Sequence, residues 1–82
     1  MNTGMLWFDN DPKTALDQKI QQAAAYFRAK YGQFPDVCLV HPSMLAEPQH
    51  RAGRVTVRPL RIIAPNHLWI GVEEVLPRGL EQ

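Results

Sequence analysis

Hydrophobic and polar residues change their spacing along this chain, and each change marks an element. Met5-Leu6-Trp7-Phe8 is a continuous run of bulky apolar residues ending at Asp9-Asn10-Asp11, which predicts a first strand that feeds a helix through a tight turn. Beyond it, Leu16, Ile20, Ala23, Ala24, Phe27 and Tyr31 recur every three or four residues, while Asp17, Gln18, Gln21, Gln22 and Arg28 lie mostly off that line. This is a surface helix with one apolar stripe. Asp11-Pro12 offers a start for it, an Asp that can cap a free amide followed by a proline suited to the first helical position. Gly32 supplies its stop, with Lys30 in the last turn where positive charge suits the helix dipole.

Pro35 forces an extended chain at Phe34, and residues 36–41 fill consecutive positions with Val, Cys, Leu and Val, which predicts a strand covered on both faces. Strand, helix and strand make a βαβ unit, whose strands run parallel either side by side or with another strand between them. The alternative is that residues 1–10 form an arm that pairs with another subunit.

Pro42 to Glu47 reads as a single helical turn ended by Pro48, and residues 49–53 read as a polar loop. Strict alternation returns at Arg54-Val55-Thr56-Val57-Arg58, a strand with its valines inward. Pro59 cannot donate to a ladder, so this strand lies at an edge or is bulged there. A bulge would return Leu60 and Ile62 to the valine side. Ala64-Pro65-Asn66-His67 has turn chemistry, and Leu68-Trp69-Ile70-Gly71-Val72 then forms the return strand of a hairpin. Centring the turn on Pro65-Asn66 sets Ile62 opposite Trp69 and, without a bulge, Arg58 opposite Glu73. Pro77 and Gly79 mark residues 75–82 as a loosely ordered tail. The expected architecture is one α+β domain over residues 1–82, in the order β-α-β-β-β, with one amphipathic helix on one face of a mixed sheet and a C-terminal antiparallel hairpin.

Composition sharpens this only in part. The 82 residues allow one small core, and the single cysteine rules out an internal disulfide, so reinforcement by self-association is expected. A net charge of +1 gives no strong footprint for nucleic acid, membrane or acidic substrates. Neither a signal peptide nor a bilayer-spanning run is evident, which suits a reducing cytoplasm.

Candidate chemistry is sparse. Asp9 and Asp11 have the outline of a phosphate-attacking carboxylate pair, but its supporting motifs are missing and Asp11 already serves as a helix cap. Cys38 and His41 have a C-x-x-H spacing that His50 and His67 would extend toward zinc. Positions three apart on a strand point to opposite faces, however, so no metal or other cofactor is expected, and a Cys-His nucleophilic pair fails on the same geometry. Arg51, Arg54, Arg58 and Arg61 form the one charge cluster, readable as a phosphate-contacting β-ribbon or as a solvated, aggregation-resistant edge.

One helix covers only one sheet face. Some of Trp7, Phe8, Ile63, Trp69 and Val72 should therefore line the other and form an interface. The leading functional expectation is a non-enzymatic interaction module, a homodimer joined through that face or an edge strand. The alternative is a nucleic-acid-binding module using residues 51–61. An enzyme with a site near Asp9 and His41 ranks third, because α/β sites gather at the C-terminal ends of parallel strands.

Overall fold

The first apolar run resolves into β1, Thr3–Phe8, and the helical stripe into α1, Leu16–Tyr31, in a computed structural model that describes residues 3–73. The remaining elements are β2, Val37–Val40, a 3-10 turn at Pro42–Met44, β3, His50–Ala52, β4, Val55–Pro59, and β5, His67–Val72. They form one small α+β domain, a helix packed on a five-stranded mixed sheet of order β1-β5-β2-β4-β3. The expected tail over residues 75–82 lies outside the described residues.

α1 starts later than Asp11-Pro12 suggests. Asp11 accepts the Lys13 amide at 2.9 Å and the Thr14 hydroxyl at 2.8 Å, so its carboxylate closes a turn on itself. The N-cap is Ala15, which has no side-chain cap. The helix therefore begins where its apolar stripe begins. Gly32 ends it at φ 73°, donating its amide to the Arg28 carbonyl at 2.8 Å. Ile20, Ala23 and Phe27 are fully buried, whereas the stripe fades at Tyr31, whose ring lies 4.6 Å from that of Phe27.

The βαβ unit is split. β1 and β2 are parallel, with β5 between them and antiparallel to both, so residues 3–8 pair within the chain. β2 is the central strand, with Val37, Cys38 and Val40 buried. β4 lies parallel to it, and the loop expected over residues 49–53 contains β3, which forms an antiparallel hairpin with β4. Gly53 makes that turn at φ 61°.

Pro59 is tolerated because β3 begins opposite Val57 and leaves the last residues of β4 without an outer neighbour. No bulge occurs there. The Leu60 amide continues the ladder to the Val40 carbonyl at 2.8 Å, which keeps Leu60 on the face of Arg58. Leu60 and Ile62 are consequently exposed rather than returned to the valine side. The 64–67 turn forms, with Asn66 at φ 66° and a His67 amide to Ala64 carbonyl bond of 3.1 Å. Its strand β5 then enters the slot between β2 and β1, not the flank of β4, so Trp69 faces Leu39 and Leu6 instead of Ile62.

The helix face of the sheet carries Cys38, Val40, Val55, Val57, Leu68 and Ile70, packed against Ile20, Ala23 and Phe27. Burying each large aliphatic or aromatic side chain here contributes about 1.5–3 kcal/mol. Lys19, unexpectedly, is buried too. Its ammonium donates to the Asp9 carbonyl at 3.0 Å and lies 3.7 Å from the Asp9 carboxylate, tying the helix to the end of β1. Among the described residues no helix is long and apolar enough to cross a membrane.

Candidate interaction surface

Alternation on β1, β5 and β2 sends every second side chain away from the helix. On β1 these are Leu6 and Phe8, on β2 Val37 and Leu39, and on β5 His67 and Trp69. Leu6 is 61% exposed and Phe8 58%, while the loop after β4 adds Leu60 and the 85% exposed Ile62. Such exposure of large apolar side chains, grouped on one face, marks a contact surface more often than a solvated one.

Two glycines flatten this surface. Gly4 and Gly71 face each other on β1 and β5, and a Cβ on Gly4 would clash with the Trp69 ring. The indole therefore lies over Gly4. A Cβ on Gly71 would clash with the Thr3 carbonyl oxygen, so the close approach of β1 to β5 also requires glycine there. Phe8 and His67 pack with ring centroids 4.9 Å apart at the other end of the same strand pair.

Polar groups border the apolar patch on the β4 side. Arg58 Nη2 donates to Glu73 Oε2 at 3.0 Å, reaching across β2, which lies between their strands. The Glu73 amide donates to Asp36 Oδ1 at 3.0 Å. On one side of the ion pair is an apolar cleft of about 270 Å3 lined by Leu39, Leu60, Ile62, Ile63 and Trp69. On the other is a polar cleft of about 360 Å3, to which Arg51, Arg54, Thr56 and Asp36 contribute. Arg58 Nε is buried without a hydrogen-bond partner among the described residues.

Of the expected interface residues, Phe8 and Trp69 lie on the open face and Ile63 lines its apolar cleft, itself mostly buried. Trp7 and Val72 are on the opposite side. Alternation turns both toward the helix, where they pack against the core, with the Trp7 ring 5.2 Å from that of Tyr26. Leu6, Leu39, Leu60 and Ile62 complete the open face, beyond the residues expected at an interface. For Leu6 the signal existed, because Met5 and Trp7 alternate with Leu6 and Phe8. A run of four bulky residues hides the period.

The arginines do not form one ribbon. Arg51, Arg54 and Arg58 converge on the polar cleft, but Arg54 sits in the β3–β4 turn and Arg61 is in the loop beyond β4. The candidate metal and catalytic groups are also dispersed into local structure. Cys38 is buried in the helix-side core, where desolvation pushes its thiol pKa up to about 12. His41 Nδ1 accepts the Ser43 amide at 3.1 Å and caps the 3-10 turn. His50 Nε2 lies 2.8 Å from Asp17 Oδ1, and His67 Nδ1 is 2.9 Å from the Pro65 carbonyl. Asp9 accepts the Asp11 amide at 2.9 Å besides holding Lys19. Asp11 is held below the ordinary carboxylate pKa by the Lys13 amide and then the Thr14 hydroxyl. No group of three or more His, Cys, Asp or Glu able to hold a metal ion occurs among the described residues.

The chain matches no protein-family model, no curated protein and no solved structure.

Proposed function

We propose that this protein is a non-enzymatic interaction module that pairs with a second copy of itself through the open sheet face. The observation that supports this reading is the patch formed by Leu6, Phe8, Leu39, Trp69, Leu60 and Ile62 on the face that α1 does not cover. A two-fold interface requires a self-complementary surface. This face offers one, because apolar side chains meet apolar ones across the axis and the bordering Arg58 and Glu73 carry opposite charges. Near-neutrality, at net charge +1, leaves little repulsion between copies. A dimer also supplies the reinforcement that a small core without a disulfide lacks. A lone buried cysteine suits a reducing compartment, and we place the protein in the cytoplasm.

Sedimentation equilibrium on the wild type and on Leu6→Glu and Ile62→Asp variants tests this. The wild type should be a dimer, and each variant should dissociate at least about tenfold more readily while keeping its circular dichroism, since a charge buried in an interface without a partner costs at least about 1.4 kcal/mol. A wild type that remains monomeric up to its solubility limit ends the reading.

The convergence of Arg51, Arg54 and Arg58 on one cleft favours a second reading, in which that cleft contacts the phosphates of a nucleic acid. Asp36 and Glu73 line the same cleft and weaken its field. Fluorescence anisotropy with short single- and double-stranded oligonucleotides at low salt decides it. Binding should weaken with salt, and less steeply after Arg51→Ala and Arg58→Ala. No binding at low salt eliminates this alternative.

A further inference from the structure

A groove lies on the helix side of the sheet, between the second half of α1 and the β3–β4 turn. Its volume is about 660 Å3, within the roughly 300–1,000 Å3 typical of small-molecule sites. The floor is apolar. Ala24, Ala25 and Ala29 open it by carrying no atoms beyond Cβ, and Pro35 and Val55 continue it onto the sheet. One wall is pinned, because Gln21 Nε2 donates to the Ala52 carbonyl at 3.1 Å and so ties the helix to the hairpin.

Charge is concentrated beside that floor. The Arg28 and Arg54 guanidinium carbons lie 3.9 and 4.3 Å from the centroid of one ring, that of Phe34. Stacking occupies guanidinium faces and leaves the in-plane N–H groups available as a donor fork. Lys19, His50 and Arg58 each lie within ion-pair distance of a carboxylate, whereas neither Arg28 nor Arg54 does among the described residues. Two like charges held at one ring repel each other, and an anion bridging them relieves both. A purely apolar ligand would leave that charge unanswered, and an inorganic anion would leave the alanine floor unused.

We propose that this groove binds an amphipathic organic anion, with its aliphatic body on the alanine floor and its carboxylate or phosphate head held by Arg28 and Arg54. The groove opens on the helix side of the sheet, and of its two arginines only Arg54 also lines the polar cleft beside the open face.

The test is an amide chemical-shift titration of the full chain at low ionic strength, using octanoate, octyl phosphate, 1-octanol and inorganic phosphate as probes. Octanoate, octyl phosphate or both should shift the amides of residues 24–29 and 53–55 saturably, and the difference between them identifies the preferred head. Octanol and inorganic phosphate should bind at least about tenfold more weakly, the order expected for losing a charge-assisted bidentate contact or the apolar contact. Arg28→Ala and Arg54→Ala should each weaken binding by about tenfold or more, whereas Arg61→Ala should not. Ala25→Phe should block the groove with both charges intact. The proposal is overturned if neither amphipathic anion saturates, if the shifts fall on Leu6, Phe8 and Ile62 instead, or if inorganic phosphate binds as tightly as octyl phosphate. Undiminished binding in both arginine variants would overturn it as well.

Discussion

The two faces of the sheet are built from the same alternating strands and meet opposite fates. On one, Cys38, Val40, Val57, Leu68 and Ile70 are sealed by Ile20, Ala23 and Phe27 of the helix. On the other, residues of the same kind at neighbouring positions, Leu6, Phe8 and Leu39 among them, have no layer over them within the described chain. One sixteen-residue helix is the whole difference. An apolar strand position is thus sealed only where a second element covers it, and elsewhere it stays exposed.

Truncation of the sealing layer is the strongest way to test that contrast. Phe27→Ala should cost about 3–5 kcal/mol in urea unfolding, the usual range for a buried aromatic. A loss below about 1 kcal/mol would show that the helix does not seal the core. Gly71→Val acts on the sheet itself, where its Cβ meets the Thr3 carbonyl oxygen. The misfit should cost about 1–3 kcal/mol, in the manner of an overpacked core, and tryptophan fluorescence should report the displacement of Trp69 from Gly4.

Cys38 tests how dry the sealed face is. Burial raises its pKa from 9.0 to about 12, so the folded state favours the neutral thiol. Its contribution to stability is complete below about pH 9 and is lost as pH rises from about 9 to 12, because the unfolded chain then releases the thiol proton first. Wild type should therefore lose on the order of 1–2 kcal/mol more than Cys38→Ala between about pH 8 and pH 10.5 in parallel urea titrations. Equal losses in the two proteins would mean that water reaches the sulfur. The smallest effects belong to the open face. Arg58→Ala should cost about 0–1 kcal/mol, as expected for an exposed ion pair. Leu6→Glu should change monomer stability by no more than about 0.5 kcal/mol while weakening association. A large stability loss from Leu6→Glu in a protein that is monomeric would show that the two faces are not different after all.

Elements defined by local rules were legible in the sequence. The helical stripe from Leu16, the stop at Gly32, the central strand Val37–Val40 and the inward valines of β4 follow from spacing and side-chain shape, whereas cover on both faces of Val37–Val40 does not hold, because Leu39 lies on the open face. Asp11-Pro12 misled because turn and helix-cap chemistry share the same residues, and only the competing bonds to Lys13 and Thr14 decide between them. β3 was hidden in a three-residue segment whose polar look reflects an edge position. The candidate surface was half visible: the need for an uncovered face followed from counting helices, but Trp7 and Val72 were set on the wrong side of it.

What the sequence by itself determined is the identity of most elements and the presence of more apolar strand surface than one helix can cover, because periodicity is a property of neighbours in the chain. Tertiary structure alone decided where β5 goes. Both a slot beside β4 and a slot between β1 and β2 satisfy local turn chemistry at Pro65-Asn66. Only the second lets Gly71 meet Gly4, places Trp69 over that glycine and buries Leu68 and Ile70 against the helix. That choice depends on contacts between residues far apart in the chain, such as Gly4 with Gly71, which no local pattern encodes. Through it the tertiary structure also determined which side chains form the open face.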